Sequence, residues 1–309
     1  HWSFALQHQF GANSLAEIAY VGSKGSKILS ARDLNQAGAS ARQPNPRPLP
    51  QFADIIFLES GGNSSYNSLQ LRLQQRFTTG FAALASYTFG KSLDETSTFF
   101  SSSGDSNFPQ DSANTAAEKG RSNFDVRHRL SVGYSYDIPV GAGRRVPLNG
   151  GFVRALLGNW SMHGIVTLQS GRPFTVALRP EIDNSNTGIA SLGFGANDRP
   201  NRTASGRLAH RGPDRWFDTS AFEMAEYGSF GDSGRNILDG PSYQDWSVAL
   251  IKDSPVSDGL NLQFRAELFN SLNRANFDLP DIFLGSPSFG RILSARNPRR
   301  IQFGLKLIF

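Results

Sequence analysis

The chain has 309 residues, with 31 Lys plus Arg against 26 Asp plus Glu, five His and no Cys. The lack of cysteine excludes disulfides, zinc–thiolate sites and thiol nucleophiles, and no run of about 18 apolar residues could cross a membrane as a helix. A closed β-barrel is then the one membrane-spanning option, with a soluble sheet as its competitor.

Trp2, Phe4 and Leu6 alternate with Ser3, Ala5 and Gln7, the period of two that gives a strand two unlike faces. Gly11-Ala12-Asn13 reads as a tight turn, and Ala16, Ile18 and Tyr20 mark a second strand with Glu17 on its other face. From Val21 to about Gly62 the alternation is lost, and Pro44, Pro46, Pro48 and Pro50 forbid a central strand, so this stretch is expected to be one long loop. In the third strand Leu69, Leu71, Leu73 and Phe77 oppose Gln70, Arg72, Gln74 and Arg76. Thr78-Thr79-Gly80 turns the chain into a fourth strand with Phe81, Ala83, Ala85, Tyr87 and Phe89 on its apolar face. A polar stretch from Ser92 to Phe124 follows, including Ser101-Ser102-Ser103-Gly104-Asp105.

The fifth strand sets Leu130, Val132, Tyr134, Tyr136 and Ile138 against Arg129, Ser131, Gly133, Ser135 and Asp137. A connection from Pro139 to about Asn159 holds Gly141-Ala142-Gly143-Arg144-Arg145 and a short apolar piece, Phe152 to Leu157. The sixth strand carries Trp160, Met162, Val166 and Leu168 and is expected to run through Pro173 to Val176. After an irregular region from Arg179 to Tyr243, a seventh strand holds Trp246, Val248 and Leu250, and Ser254 to Gly259 turns into the eighth. That strand sets Leu260, Leu262, Phe264, Ala266 and Leu268 against Asn261, Gln263, Arg265 and Glu267. A loop from Ser271 to Asn297 leads to the last strand, where Ile301, Phe303, Leu305, Leu307 and Phe309 alternate with Arg300, Gln302, Gly304 and Lys306.

The connections alternate in length: short at 11–13, 78–80 and 254–259, middling at 139–159, and long at 21–62, 92–124, 179–243 and 271–297. Strands with short turns at one end and long loops at the other describe an outer-membrane barrel, whereas Greek-key sandwiches have no reason to alternate so strictly. The expected fold is therefore all-β: an antiparallel transmembrane β-barrel, incomplete, with long extracellular loops and short periplasmic turns. Nine strands are read. Bacterial single-chain barrels have even numbers, so further strands are expected before His1 and an open edge is expected at the last strand. His1 opens directly onto an alternating strand, as in a piece of a longer protein.

On this reading each apolar row meets lipid, and Arg72, Arg76, Arg265, Glu267 and Lys306 point into the lumen. Trp2, Phe77, Phe81, Phe89, Trp160, Trp246 and Phe309 sit near strand ends, where interfacial aromatic girdles belong. Phe303, Leu305, Leu307 and Phe309 form the candidate signal for the barrel-assembly machinery. In a soluble sheet the same charges would be an ordinary solvated face, but the apolar face would then need a second layer, and no amphipathic helix of useful length is found.

Chemistry-bearing patterns are sparse. His1, His8, His128, His163 and His210 lack metal spacing, and neither HExxH nor GxSxG occurs. Gly141-Ala142-Gly143-Arg144-Arg145 lacks the ending of a phosphate loop. Asp183-Asn184-Ser185-Asn186 has oxygen ligands suited to calcium, although such loops are more often only solvated. Arg and Lys are spread over loops and alternating faces instead of one nucleic-acid patch, so no nucleic acid, cofactor, metal or enzymatic activity is expected. Loop arginines on the outer side could meet lipopolysaccharide phosphates.

Arg265-Ala266-Glu267-Leu268-Phe269-Asn270-Ser271-Leu272-Asn273-Arg274-Ala275-Asn276-Phe277 resembles the penultimate-strand motif of TonB-dependent receptors. Phe289-Gly290-Arg291-Ile292 and the segment from Arg299 to Lys306 resemble their last loop and strand. Trp216-Phe217-Asp218-Thr219-Ser220-Ala221-Phe222, Phe230-Gly231, Arg235 to Pro241 and Ser170-Gly171-Arg172-Pro173-Phe174 resemble the Oar-like branch. Together these cover much of residues 160–309, while the first half matches mainly in texture, as in Tyr20 to Gly25. The resemblance implies a plugged barrel of about 22 strands, driven by the inner-membrane TonB complex, of which this chain holds about the last nine. It also implies that the plug, the TonB box and any amino-terminal regulatory-like domain lie outside this chain. Function is then energised passage of an unidentified large ligand across the outer membrane. A passive porin and a surface-binding, adhesive barrel are the alternatives, and the sequence upstream of His1 would separate the first two.

Overall fold

The computed structural model describes residues 1–76, 80–98, 108–141, 145–148, 150–189, 197–257 and 259–309. Phe77, Thr78-Thr79, Ser101 to Asp105 and Ala142-Gly143-Arg144, singled out above, lie outside the described residues. Nine strands form one continuous antiparallel meander: β1 (Trp2–Phe10), β2 (Ser14–Asp33), β3 (Ile56–Arg76), β4 (Phe81–Asp94), β5 (His128–Asp137), β6 (Trp160–Gln169), β7 (Tyr243–Ser257), β8 (Leu260–Phe269) and β9 (Arg300–Ile308). Each pairs with its neighbours in sequence, and Gly120–Arg121 adds a short spur to the end of β4. Among the described residues β9 pairs with β8 alone and β1 with β2 alone, so the expected open edge is present at β9.

The strands form where the alternation places them, but their ends differ from the sequence reading. The region from Val21 to Gly62 is not one loop: β2 runs on to Asp33, β3 begins at Ile56, and only residues 34–55 connect them. From Gly22 to Lys27 both faces of β2 are polar or glycine, so the alternation vanishes while backbone pairing continues from Gly22–Asn67 to Gly25–Ser64. Register irregularities between Gly25 and Ser30 then break the period outright.

The sixth strand does not continue through Pro173. β6 ends at Gln169, and Pro173–Phe174 pairs instead with Leu238–Asp239 in a separate two-stranded ladder. The departure is fixed at Gly171, where a Cβ would lie 1.8 Å from the Gly240 carbonyl oxygen, so only glycine permits this crossing of two backbones. Likewise, Ser254 to Gly259 is not all turn: β7 extends to Ser257, accommodating Pro255 through a bulge between Pro255 and Ser257. Gly11 takes a φ of 63° in the turn from β1 to β2, the left-handed region that suits glycine.

The connections at 34–55, 95–127, 170–242 and 270–299 gather at one end of the sheet, and the short ones lie at the other. The main apolar core lies in this loop assembly and not against the sheet: Phe174, Val176, Phe217, Ala221, Phe222, Leu238 and Ile282 form one buried cluster. The helix α1 (Gly151–Leu157), in the connection between β5 and β6, has no buried residue and covers no face of the sheet. No helix among the described residues is long and apolar enough to cross a membrane.

Candidate functional site

The cross-strand register separates two chemical surfaces. On one face Leu6, Ile18, Leu71, Tyr87, Leu130 and Leu168 lie in a single row across six strands. A second row on that face joins Phe81, Tyr136, Met162, Leu250, Ala266 and Phe303. On the opposite face Gln7, Glu17, Arg72, Ser86, Ser131, Thr167 and Asp245 form an uninterrupted polar row. Since residues directly opposite in a ladder share a face, the strands sort their side chains as one surface of consistent polarity.

The charged residues singled out in the sequence all fall on the polar face. Arg72 lies opposite Glu17 and Ser86. Arg76 and Glu267 occupy one row, joined through Ala82, Ser135, His163 and Ala249. Arg265 lies opposite Gly304, and its Nη2 is 3.0 Å from Glu267 Oε1. Lys306 lies opposite Gln263, whose Nε2 donates to Asp253 at 2.9 Å. Phe303, Leu305 and Leu307 fall on the apolar face, 69%, 70% and 52% exposed, and the Phe264 and Phe303 rings stack at 6.1 Å. Phe309 lies past the end of β9.

Aromatic residues mark both borders of the apolar face. Trp2 and Phe89 lie towards the loop end, and Phe81 and Trp160 at the turn end. Trp246 lies inside β7, opposite Val166. Lys252 also belongs to the apolar side, opposite Trp160 and Phe264, which the sequence reading missed. It sits near the turn end, donates to the Gly158 carbonyl at 2.8 Å and lies 5.7 Å from the Trp160 ring centroid, so its charge is turned towards the border.

At the loop end, long-range ion pairs hold the connections together. Arg235 is buried and places Nη1 2.8 Å from Asp94 Oδ1, while the same guanidinium donates to the Glu118 carbonyl and to Ser97 Oγ. Arg199 pairs with Glu118; burial pulls the Arg199 guanidinium below its ordinary range, and the Glu118 carboxylate opposes that shift. Arg121 bridges Asp125 and Asp239. Burial would lower its pKa, but the two carboxylates outweigh that and raise it. Asp198 is almost sealed, and desolvation pushes its carboxyl up to about 6 even though the Ser185 N–H donates to it at 2.7 Å.

The oxygen-rich segment 183–186 is used inside this assembly. Asp183 accepts from the Thr187 and Gly188 N–H groups, Asn184 donates to three carbonyls of the 225–229 turn, and Asn186 donates to the Ser40 and Arg42 carbonyls. No group of three or more His, Asp or Glu side chains with metal-binding geometry occurs among the described residues. The arrangement offers a two-faced wall and a cohesive roof of loops at one end.

The family model described as "Outer membrane beta barrel domain" matches residues 1–302. Comparison with curated proteins finds no match. Among solved structures, the outer membrane transporter YddB from Escherichia coli is similar over 99% of this chain and 32% of its own, at 10% identity and a TM-score of 0.50. FpvA of P. aeruginosa, solved bound to heterologous pyoverdines, is similar over 97% of this chain and 26% of its own, at 11% identity and a TM-score of 0.39. The chain thus spans about a third or less of the length of these structures.

Proposed function

Because the chain belongs to the outer membrane beta-barrel domain family, we propose that it supplies part of the wall and the ligand-capturing loops of a TonB-dependent transporter of the Oar-like type. The chain lies in the outer membrane, and its fold is that of an incomplete antiparallel barrel. The observation that carries the reading is the continuous sorting of faces across the meander, with every long connection at one end. An apolar surface open to its surroundings over so many strands suits lipid as its solvent, because a charge at the midplane of such a face costs about 2–4 kcal/mol.

The polar face then lines the lumen, where Arg72, Arg76, Arg265, Glu267 and Lys306 meet water or a plug. The row Phe303, Leu305 and Leu307, with Phe309, presents an open-edged strand of the kind the barrel-assembly machinery would receive. The loops capture a large ligand outside, and the wall performs no covalent chemistry. Segments outside this chain supply the plug and the contact with the TonB complex. The outer surface meets lipopolysaccharide as well as lipid.

The test is uptake by whole cells in which the energising complex is depleted. Transport through the full-length protein should fall to the background of a deletion strain. Persisting passage would identify a passive porin, and specific surface binding with no passage in energised cells would identify an adhesive barrel.

A further inference from the structure

A cleft of about 510 Å³ opens where the apolar face meets the loops, lined by Arg121, Arg127, His128, Arg207, Arg211 and Trp216. Its level and its face are fixed by the sheet. His128 is the first residue of β5, lies opposite Phe89 and shares the face of Leu130 and Val132. Arg127 folds over the exposed Phe89 ring, 6.0 Å from its centroid. Ser170 and Ser242, which also line the cleft, follow directly on Gln169 and precede Tyr243 at the ends of β6 and β7. The cleft therefore sits immediately above the apolar rows on the outward side, and not within the loop core.

Its charge is unbalanced. Four guanidinium groups surround one lining carboxylate, Asp239, which is already shared by Arg121 and Arg207. Arg127 and Arg211 have no carboxylate partner among the described residues. Arg211 is held in place: its guanidinium lies 5.7 Å from the Trp216 ring centroid and donates to the Asp239 carbonyl, and Trp216 Nε1 donates to the same carbonyl at 2.8 Å. A stacked guanidinium with spare donors is a preorganised phosphate receptor, since its planar fork matches two oxygens at once.

We propose that this cleft binds the phosphate of an outer-leaflet lipid headgroup, with the acyl chains lying on the apolar rows below. The proposal rests on the outward reading of that face. A lipid is favoured over a soluble anion because it alone presents phosphate and hydrocarbon in the vertical order the wall offers. Ser170 and Ser242 supply hydroxyls on the membrane side of the cleft, and Arg127 and Arg211 supply the uncompensated charge.

The experiment uses the full-length protein, purified from outer membranes in mild detergent, with retained phosphorylated lipid measured by mass spectrometry. Arg127→Gln/Arg211→Gln should lower retention about tenfold, the loss expected for removing charge-assisted hydrogen bonds. Arg129→Gln, which removes the same charge from the opposite face of β5, should retain lipid like the parent. If the double variant assembles poorly, the single change Arg127→Gln at this half-buried position serves, with a loss of about threefold expected, half of the tenfold effect in free energy. Delipidated protein should then rebind phosphorylated lipopolysaccharide but neither its dephosphorylated form nor inorganic phosphate. Unchanged retention in the arginine variants, or equal loss in Arg129→Gln, overturns the site. Equal binding of inorganic phosphate, or of dephosphorylated lipid, overturns the lipid-phosphate assignment. Fractionation reads membrane placement separately, so a protein that stays in the outer membrane but binds lipid indifferently refutes the cleft alone.

Discussion

In β9 every residue but Gly304 is exposed, including Phe303 at 69%, whereas in the loop assembly Phe174 is 1% exposed and Leu238 2%. The two regions use apolar side chains in opposite ways. The loop end behaves like a water-soluble domain: it seals Phe174, Phe217 and Leu238 inside and pairs buried charges such as Arg235 and Asp94. The wall sorts its side chains by face, apolar on one and mostly polar or charged on the other, with Lys252 at the border of the apolar side; on the proposed reading hydrocarbon and not protein is the medium that receives the apolar face. Stability of the roof is thus a matter of internal packing and paired charges, and stability of the wall a matter of backbone ladders and the surrounding lipid.

The largest expected effect separates the two regions at Arg235. Arg235→Leu leaves Asp94 buried without its partner, and breaking such a pair costs about 3–5 kcal/mol. The loops should become open to protease while the wall keeps its resistance to unfolding in detergent. A wall that unfolds together with the loops would show that the two are a single cooperative unit and would break the comparison.

The second effect belongs to the wall. Leu71→Arg puts a charge on the apolar face and should lower stability in lipid vesicles by about 2–4 kcal/mol, while Gln70→Arg on the polar face should change it little. Equal losses at both positions would mean that the faces are not solvated differently. This contrast was legible in the sequence because Leu69 to Gln74 alternates without a fault. The outer reaches of β2 and β3 were not, since Ser23, Lys24, Ser64 and Ser65 are polar on both faces once the strands rise beyond the apolar band. Pairing there does not depend on alternating apolar side chains, which leaves no side-chain period to read. The roof was legible only as short motifs: Trp216 to Phe222 and Arg235 to Pro241 could be noticed, but nothing local in them announces that Phe217 packs on Phe174 or that Arg235 reaches Asp94. Contacts across so many residues of sequence have no periodic signature. Of the cleft residues, Arg121, Arg127 and Arg207 carried no motif at all.

A smaller effect should appear as pH dependence confined to the roof. Asp198 has its carboxyl raised to about 6 in the folded protein, against an ordinary value of 3.8. Between those values the folded state holds a proton that the unfolded state has released, so roof stability should rise as pH falls from about 6 towards 4, by an amount on the order of 1–3 kcal/mol. Asp198→Asn, which keeps an oxygen for the Ser185 N–H, should flatten that dependence in a proteolysis series. A parent protein whose loops show no gain in protection on acidification would remove Asp198 from the account.

The smallest energetic change gives the sharpest reading of the faces. Arg265 and Glu267 form a partly exposed pair, so Arg265→Cys should alter stability by no more than about 1 kcal/mol. The chain has no cysteine of its own, so each introduced thiol is unique within it. In the full-length protein in vesicles, a charged thiol reagent should modify Arg265→Cys and spare Phe303→Cys, and a lipid-soluble reagent should reverse the order. These residues lie on adjacent strands at neighbouring register positions, Arg265 beside Gly304 and Phe303 beside Ala266, so depth and strand end are nearly matched between them. What differs is the face, and equal modification by the charged reagent would place water on both sides of the sheet and refute lipid as the solvent of the apolar rows.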